Sequence, residues 1–133
     1  MVIDTSALIA IFLNEPERDL LLEIIYQSRK RLLSAATLVE AGIVLESKRK
    51  EIAGHELDLF LHELNIEVVS VDQVQAEQAR IAYRKYGKGR HPVGLNFGDC
   101  FTYALAAISG EPVLAKGDEF RRAKLNTCEP NQP

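Results

Sequence analysis

A chain of 133 residues, 47% hydrophobic and 26% charged, fits one globular domain with its own core and argues against a long disordered segment. The net charge of −3, from 16 basic and 19 acidic residues, excludes a uniformly basic nucleic-acid binder, although acids gathered around bound cations would invert the local balance. Cys100 and Cys128 form no CxxC pair, and His55, His62 and His91 are scattered, which argues against a disulfide framework or a zinc site.

Met1 leads directly into Val2, Ile3 and Asp4, with no basic leader and no apolar run of membrane-spanning length. A cytoplasmic protein with no membrane partner is expected. Residues 1–133 read as a single domain, with a flexible tail from about residue 129.

Met1–Asp4 reads as a very short buried strand. Thr5 or Ser6 is then placed to cap a helix through Leu8, Ile9, Phe12 and Leu13. Asn14-Glu15-Pro16 breaks that helix, and Glu17–Gln27 follows as a second, with Leu20, Leu21, Ile24 and Ile25 as its apolar stripe. Arg31–Ala35 is a strand candidate. Ala36–Lys50 reads as a helix, apolar nearly all round as far as Leu45, and Gly54 ends that segment. His55–Leu64 is the next helix, and Ile66–Val71 alternates as a strand.

Asp72–Tyr86 reads as a moderately amphipathic helix. Gly87–Gly98 contains Gly87, Gly89, Gly94, Gly98 and a proline, so it is a loop. Gly98–Ser109 is a helix with Phe101, Leu105 and Ile108 inward. Pro112–Ala115 is a short strand, Asp118–Ala123 a helical turn, and Leu125–Cys128 a last edge strand. Strands alternating with helices imply a mainly parallel sheet flanked by helices, a three-layer α/β sandwich.

In open α/β sheets, ligands bind beyond the carboxyl ends of the strands. Asp4 ends the first strand, Asp118 follows the Pro112–Ala115 strand, and Asp99 opens the helix after the glycine loop. Each has a plainer role open to it as a helix cap, Asp99 in a capping box with Asn96. Glu40 has no such role. It lies mid-helix with Ala36, Val39, Ile43 and Val44 as helical neighbours and no Lys or Arg between Ala35 and Leu45. A carboxylate buried there must be protonated, paired or bound to a cation. Carboxylates converging on one pocket repel unless a divalent cation sits between them, and oxygen-only ligation suits Mg²⁺ or Mn²⁺. The chemistry that follows is metal-assisted phosphodiester hydrolysis.

Four segments resemble the acidic motifs of PIN-domain nucleases, in order along the chain. They are Met1-Val2-Ile3-Asp4-Thr5-Ser6-Ala7-Leu8, Ser34-Ala35-Ala36-Thr37-Leu38-Val39-Glu40, Asn96-Phe97-Gly98-Asp99-Cys100 and Leu114-Ala115-Lys116-Gly117-Asp118-Glu119-Phe120. The resemblance covers nearly the whole chain and is nearest to the VapC toxins of bacterial type II toxin–antitoxin pairs. The loop Tyr86-Gly87-Lys88-Gly89-Arg90-His91 is similar to one branch of them.

The resemblance implies a PIN fold and Mg²⁺-dependent endoribonuclease activity, with Mn²⁺ able to substitute. It also implies a homodimer and inhibition by a VapB-type antitoxin lying in a groove near the active site. Asp4, Glu40 and Asp99 carry over as metal-binding acids and Asp118 as the fourth, with Glu119 a substitute because this chain has Asp118-Glu119-Phe120. Asp4 and Asp99 would hold the ion directly, Glu40 would bind through water or orient a metal-bound water, and Asp118 or Glu119 would help hold a second ion, the reaction leaving a 5′-phosphate and a 3′-hydroxyl. Arg84, Lys85, Lys88, Arg90 and His91, interleaved with Tyr83 and Tyr86, are the candidates for RNA contact; the alternative is a solvated helix end.

Two competing functions remain open on the sequence. A phosphoryl-accepting receiver module would use Asp72 and Lys116, but it needs an acidic pair after the first strand, where only Asp4 stands. A catalytically silent PIN-like RNA-binding module would keep the fold without the reaction.

Overall fold

The computed structural model describes residues 1–129. Strands β1 (Val2–Ile3), β2 (Leu32–Ser34), β3 (Glu67–Val69) and β4 (Val113–Leu114) form a sheet in the order β3-β2-β1-β4. Every pairing among them is parallel, with Val2 opposite both Leu32 and Val113. Parallel neighbours need long crossovers. These are supplied by helices α1 (Thr5–Phe12), α2 (Arg18–Gln27), α3 (Ala35–Arg49), α4 (Glu51–Glu63), α5 (Gln73–Tyr86) and α6 (Phe97–Ser109), with the short α7 (Glu119–Arg122) after β4.

Alternation along the strands divides the core. Ile3, Leu33 and Leu114 point to one face and pack with Leu8, Ile25, Leu45 and Leu57 of the first four helices. Val2, Leu32 and Val113 point to the other, where Leu105 and the fully buried Phe120 cover them. A smaller apolar cluster of Ala79, Ala82, Leu95, Cys100 and Ala104 joins α5 to α6.

The chain steps outward from β1 to β2 and β3, then returns through α5 and α6 to place β4 on the far side of β1. The strand order therefore reverses between β1 and β4. In such sheets the crevice at the carboxyl end of that junction is where ligands bind. Asp4 is the first residue beyond β1.

The elements match the expected order, with several differences. Asp4 itself, rather than Thr5 or Ser6, caps α1; its backbone is extended (φ −86, ψ 158) and its side chain accepts from the Ser6 N–H. Gly54 does not end a helix but sits inside α4. The break falls at Lys50, which adopts a left-handed φ of 68. Ile108 is exposed rather than inward. Instead of an edge strand at Leu125–Cys128 there is one isolated bridge, Thr127 to Val113. The tail expected to be flexible falls almost wholly outside the described residues.

Candidate active site

The site is assembled at the carboxyl end of β1 by three helix N-termini. Asp4 is 4% exposed. Its Oδ2 accepts from the Ser6 backbone N–H at 3.1 Å and the Ser6 hydroxyl at 2.8 Å, and its Oδ1 accepts from the Thr102 hydroxyl at 2.7 Å. Ser6 Oγ in turn accepts from the Lys116 backbone N–H at 3.0 Å, which ties the exit of β4 to the same carboxylate. Burial pushes the Asp4 carboxyl above the usual carboxylate range. The hydrogen bonds from Thr102 and Ser6 oppose that push, and the charge of Glu40 adds to it.

Glu40 reaches the same place from α3. The buried side of that helix is Thr37, Ala41 and Leu45, so Glu40 lies on its flank and is half-buried. The apolar residues beside it are not packed away: Val39 is 61% and Ile43 63% exposed. Glu40 therefore does not sit in the closed apolar setting expected from the sequence. Its carboxylate is held by a hydrogen bond from the Thr5 hydroxyl. It also lies against Gly98, where an added Cβ would come within 2.6 Å of the Glu40 Cδ.

Asp99 stands at the third position of α6 in a capping box. Its Oδ2 accepts from the Asn96 N–H at 3.0 Å, and Asn96 Oδ1 accepts from the Asp99 N–H at 2.9 Å. The capping role open to it on the sequence is thus realised. Its carboxyl is nonetheless pushed up to about 6, by burial first. The Asn96 N–H pulls it down, while the charges of Asp4, Glu119 and Glu40 push it up. Asp99 therefore feels the other three acids, and Asp4 feels Glu40.

The structure separates Asp118 from Glu119. Asp118 is exposed, precedes α7 without a side-chain capping bond, and faces Arg122 at 3.9 Å. Glu119 is half-buried, folds back against Gly117, and is the one of the two that raises Asp99.

Thr102 and Gly98 were not singled out in the sequence. Thr102 is fully buried and places its hydroxyl 3.4 Å from that of Thr37 as well as on Asp4. Its signal was its position three residues after Asp99, on the same helix face. Cys100 is no nucleophile, since burial, with the Asp99 charge adding, pushes its thiol up to about 11.

The basic segment is exposed. Arg84 and Lys85 lie in the last turn of α5, and Lys88, Arg90 and His91 in the loop beyond it. His91 is also part of the turn: its Nδ1 accepts from the Val93 N–H at 3.1 Å. Tyr86, expected to be free for stacking, is occupied by His91 and Tyr103, with ring centroids at 5.2 and 6.0 Å. Tyr83 remains exposed, with Arg90 over its ring at 6.0 Å.

The donor set fits a hard divalent cation. Asp4, Glu40, Asp99 and Glu119 offer only carboxylate oxygens, and none of them has an ion-pair partner among the described residues. Lys116, three residues before Glu119, is turned away to Glu15 at 3.0 Å and Glu17 at 3.8 Å. Among the described residues no three acids are already drawn into ligation geometry, so a cation would have to gather them.

A parallel sheet with acids at the carboxyl end of its switch point defines the class of the domain, and the family model of the PIN domain matches residues 1–125. A ribonuclease VapC of Mycolicibacterium smegmatis is 54% identical over 121 residues, covering 91% of this chain and 94% of that protein. Ribonuclease VapC30 of Mycobacterium tuberculosis is 47% identical over 127 residues, covering 96% and 97%. By these matches the chain belongs to the PIN-domain family, in its VapC ribonuclease branch.

Solved structures confirm the fold. The Mycobacterium tuberculosis toxin VapC20, which cleaves the sarcin–ricin loop, superposes with a TM-score of 0.80 at 17% identity, over 97% of this chain and 98% of that one. A chain of VapBC2 from Rickettsia felis, bound to a DNA fragment from the promoter, gives 0.73 at 16% identity, covering 96% of each.

Proposed function

We propose that this protein is the toxin of a type II toxin–antitoxin pair, an endoribonuclease that hydrolyses RNA phosphodiester bonds with Mg²⁺, or Mn²⁺ in its place. The observation that carries the chemistry is the group of Asp4, Glu40, Asp99 and Glu119. At the sheet's switch point the charges of the other three raise Asp99, and none of the four has a cationic partner among the described residues. A divalent cation bound there supplies Lewis acidity toward the phosphate and activates water.

The chain's own residues do the positioning. Asp4 and Asp99 would hold the cation directly. Ser6 and Thr102 fix the Asp4 carboxylate, and Thr5 fixes Glu40. Glu119, rather than Asp118, is the fourth acid, because it alone of the two is coupled to Asp99. No Ser or Thr acts as nucleophile; Thr5 and Ser6 are both engaged in holding carboxylates and no histidine base accompanies them. Arg84, Lys85, Lys88 and Arg90 hold the RNA backbone, with His91 shaping their loop.

The exposed Val39 and Ile43 line a groove of about 310 Å³ between α3 and α4, which also includes Leu38 and Gly42 and begins one residue from Glu40. The antitoxin segment lies there, and the protein is a homodimer. Among the described residues no helix is long and apolar enough to cross a membrane. The test is incubation of antitoxin-free protein with a pool of small RNAs. Discrete products in Mg²⁺ or Mn²⁺ that vanish with chelator support the proposal. RNA binding without cleavage in either metal would favour a silent module.

A further inference from the structure

Thr37 and Thr102 meet in the interior, one from the first turn of α3 and the other from the second turn of α6. Thr37 is 2% exposed and Thr102 fully buried. Their hydroxyl oxygens are 3.4 Å apart, and the Thr37 hydroxyl makes no other hydrogen bond among the described residues. A threonine hydroxyl carries one proton and two lone pairs. The Thr102 proton is committed to Asp4 Oδ1 at 2.7 Å, so in its contact with Thr37 it is Thr102 that accepts and Thr37 that donates. This link is longer than the roughly 2.5–3.0 Å usual between hydroxyls and is the weaker of the two. It is still the one that satisfies a buried polar group. The three side chains form a directed chain, Thr37 to Thr102 to Asp4, buried throughout.

The chain ends on a particular oxygen. A carboxylate has about four acceptor positions, two on each oxygen. Asp4 Oδ2 fills its own with the Ser6 N–H and the Ser6 hydroxyl. Oδ1 has one filled, by Thr102. The position left for a cation is therefore on Oδ1, beside the Thr102 proton. That proton has a competing acceptor, because a helical threonine commonly donates to a carbonyl of the turn before it. A donor aimed at Thr102 Oγ1 from α3 fixes that oxygen between the helices and polarises its O–H toward Asp4.

We propose that Thr37 is a positioning residue for cation binding: its hydroxyl holds Thr102 in the orientation that aims Asp4 Oδ1. This rests on the reading of Asp4 as a cation ligand and extends it to a residue whose side chain bonds to none of the acids. The plainer role for Thr37 is packing. It lies on the buried side of α3 with Ala41 and Leu45, three residues before Glu40, so a shift of α3 would also move Glu40. The two roles differ once Thr102 has lost its hydroxyl. A relay then has nothing to act through, whereas a helix shift remains.

The test is titration of the metal-free protein with Mn²⁺ by calorimetry, with thermal unfolding in chelator as a second readout. Valine at either position keeps the shape and removes the hydroxyl. Thr102→Val weakens Mn²⁺ binding about tenfold or more, and Thr37→Val, acting through the weaker link, about threefold. In the Thr102→Val background, Thr37→Val weakens it no further. The double variant also melts no lower than Thr102→Val, because it leaves no buried donor unpaired. Thr37→Ser keeps wild-type affinity while melting lower for its lost methyl group.

Wild-type Mn²⁺ affinity in Thr37→Val, the same loss in both backgrounds, or an equal loss in Thr37→Ser would overturn the relay. Asp4 would remain a ligand in each of those cases, provided wild type binds Mn²⁺ and Asp4→Asn does not. A folded wild-type protein that binds no Mn²⁺ would remove both proposals.

Discussion

Asp99→Asn should stabilise the protein in the absence of metal and abolish its stabilisation by metal. The Asp99 carboxyl is pushed from 3.8 up to about 6, chiefly by burial, so in the metal-free fold its charge is a burden at neutral pH. About two units at 1.36 kcal/mol each set a ceiling of about 3 kcal/mol. The side chain is only half-buried, and solvent screening brings this to roughly 1–2 kcal/mol. Asparagine keeps the acceptor for the Asn96 N–H and removes the charge. A gain of that size corresponds to a melting temperature about 4–8 °C higher in a domain of this length.

The sign carries a pH dependence. A carboxyl whose folded pKa is raised binds its proton more tightly in the folded state. Its penalty is absent below about pH 4, grows as the pH rises, and is complete above about 6. The advantage of Asp99→Asn should follow that curve and vanish below pH 4. With Mg²⁺ at ten times its dissociation constant, wild type should gain about 1.4 kcal/mol and the variant almost nothing. Thermal unfolding monitored by circular dichroism, with chelator or Mg²⁺ between pH 4 and 8, measures all three quantities. A variant less stable than wild type in chelator at pH 7, or one that gains as much from Mg²⁺, would refute the reasoning.

Four further substitutions separate the parts of the site. Gly98→Ala puts a Cβ into the Glu40 carboxylate while favouring the helix; cleavage should fall roughly 10–100-fold with helicity and melting temperature unchanged or slightly raised. Thr102→Val removes the donor to Asp4 Oδ1 from a fully buried position. It should cost about 1–3 kcal/mol of stability and raise the Mg²⁺ concentration needed for half-maximal cleavage, both readable from a melt and a metal titration. Glu119→Gln should lower the cleavage rate by about tenfold or more, whereas Asp118→Asn should stay near wild type; the reverse ranking in parallel rate measurements would return the fourth-acid role to Asp118.

The sequence made the order of elements legible because strands and helices differ in apolar period, and it placed Asp4 at a strand end because Val2 and Ile3 are a short apolar run closed by an acid. The acids belonging together could be proposed from Glu40, a charge with no basic neighbour in its helix. What the helix buries was less legible. Apolar residues surround α3 on nearly every side, so nothing local shows that Thr37, Ala41 and Leu45 face inward while Val39 and Ile43 face solvent. Gly54 was misleading for a related reason. Glycine is tolerated inside a helix, and here the break was taken by Lys50, a residue with no turn signature. Thr102 was hidden because a helical hydroxyl becomes a positioning group only when the fold brings it to a carboxylate from 98 residues away.

The central claim is that the carboxylates around Asp4 bind the cation that RNA hydrolysis needs. Its most direct test is to titrate Mn²⁺ by calorimetry and, over the same concentrations, to measure RNA cleavage rates for wild type and Asp4→Asn. Wild type should bind Mn²⁺ with a dissociation constant matching the half-saturation of cleavage, and Asp4→Asn, folded as judged by circular dichroism, should lose both. Cleavage by Asp4→Asn with an unchanged Mn²⁺ dependence would contradict it.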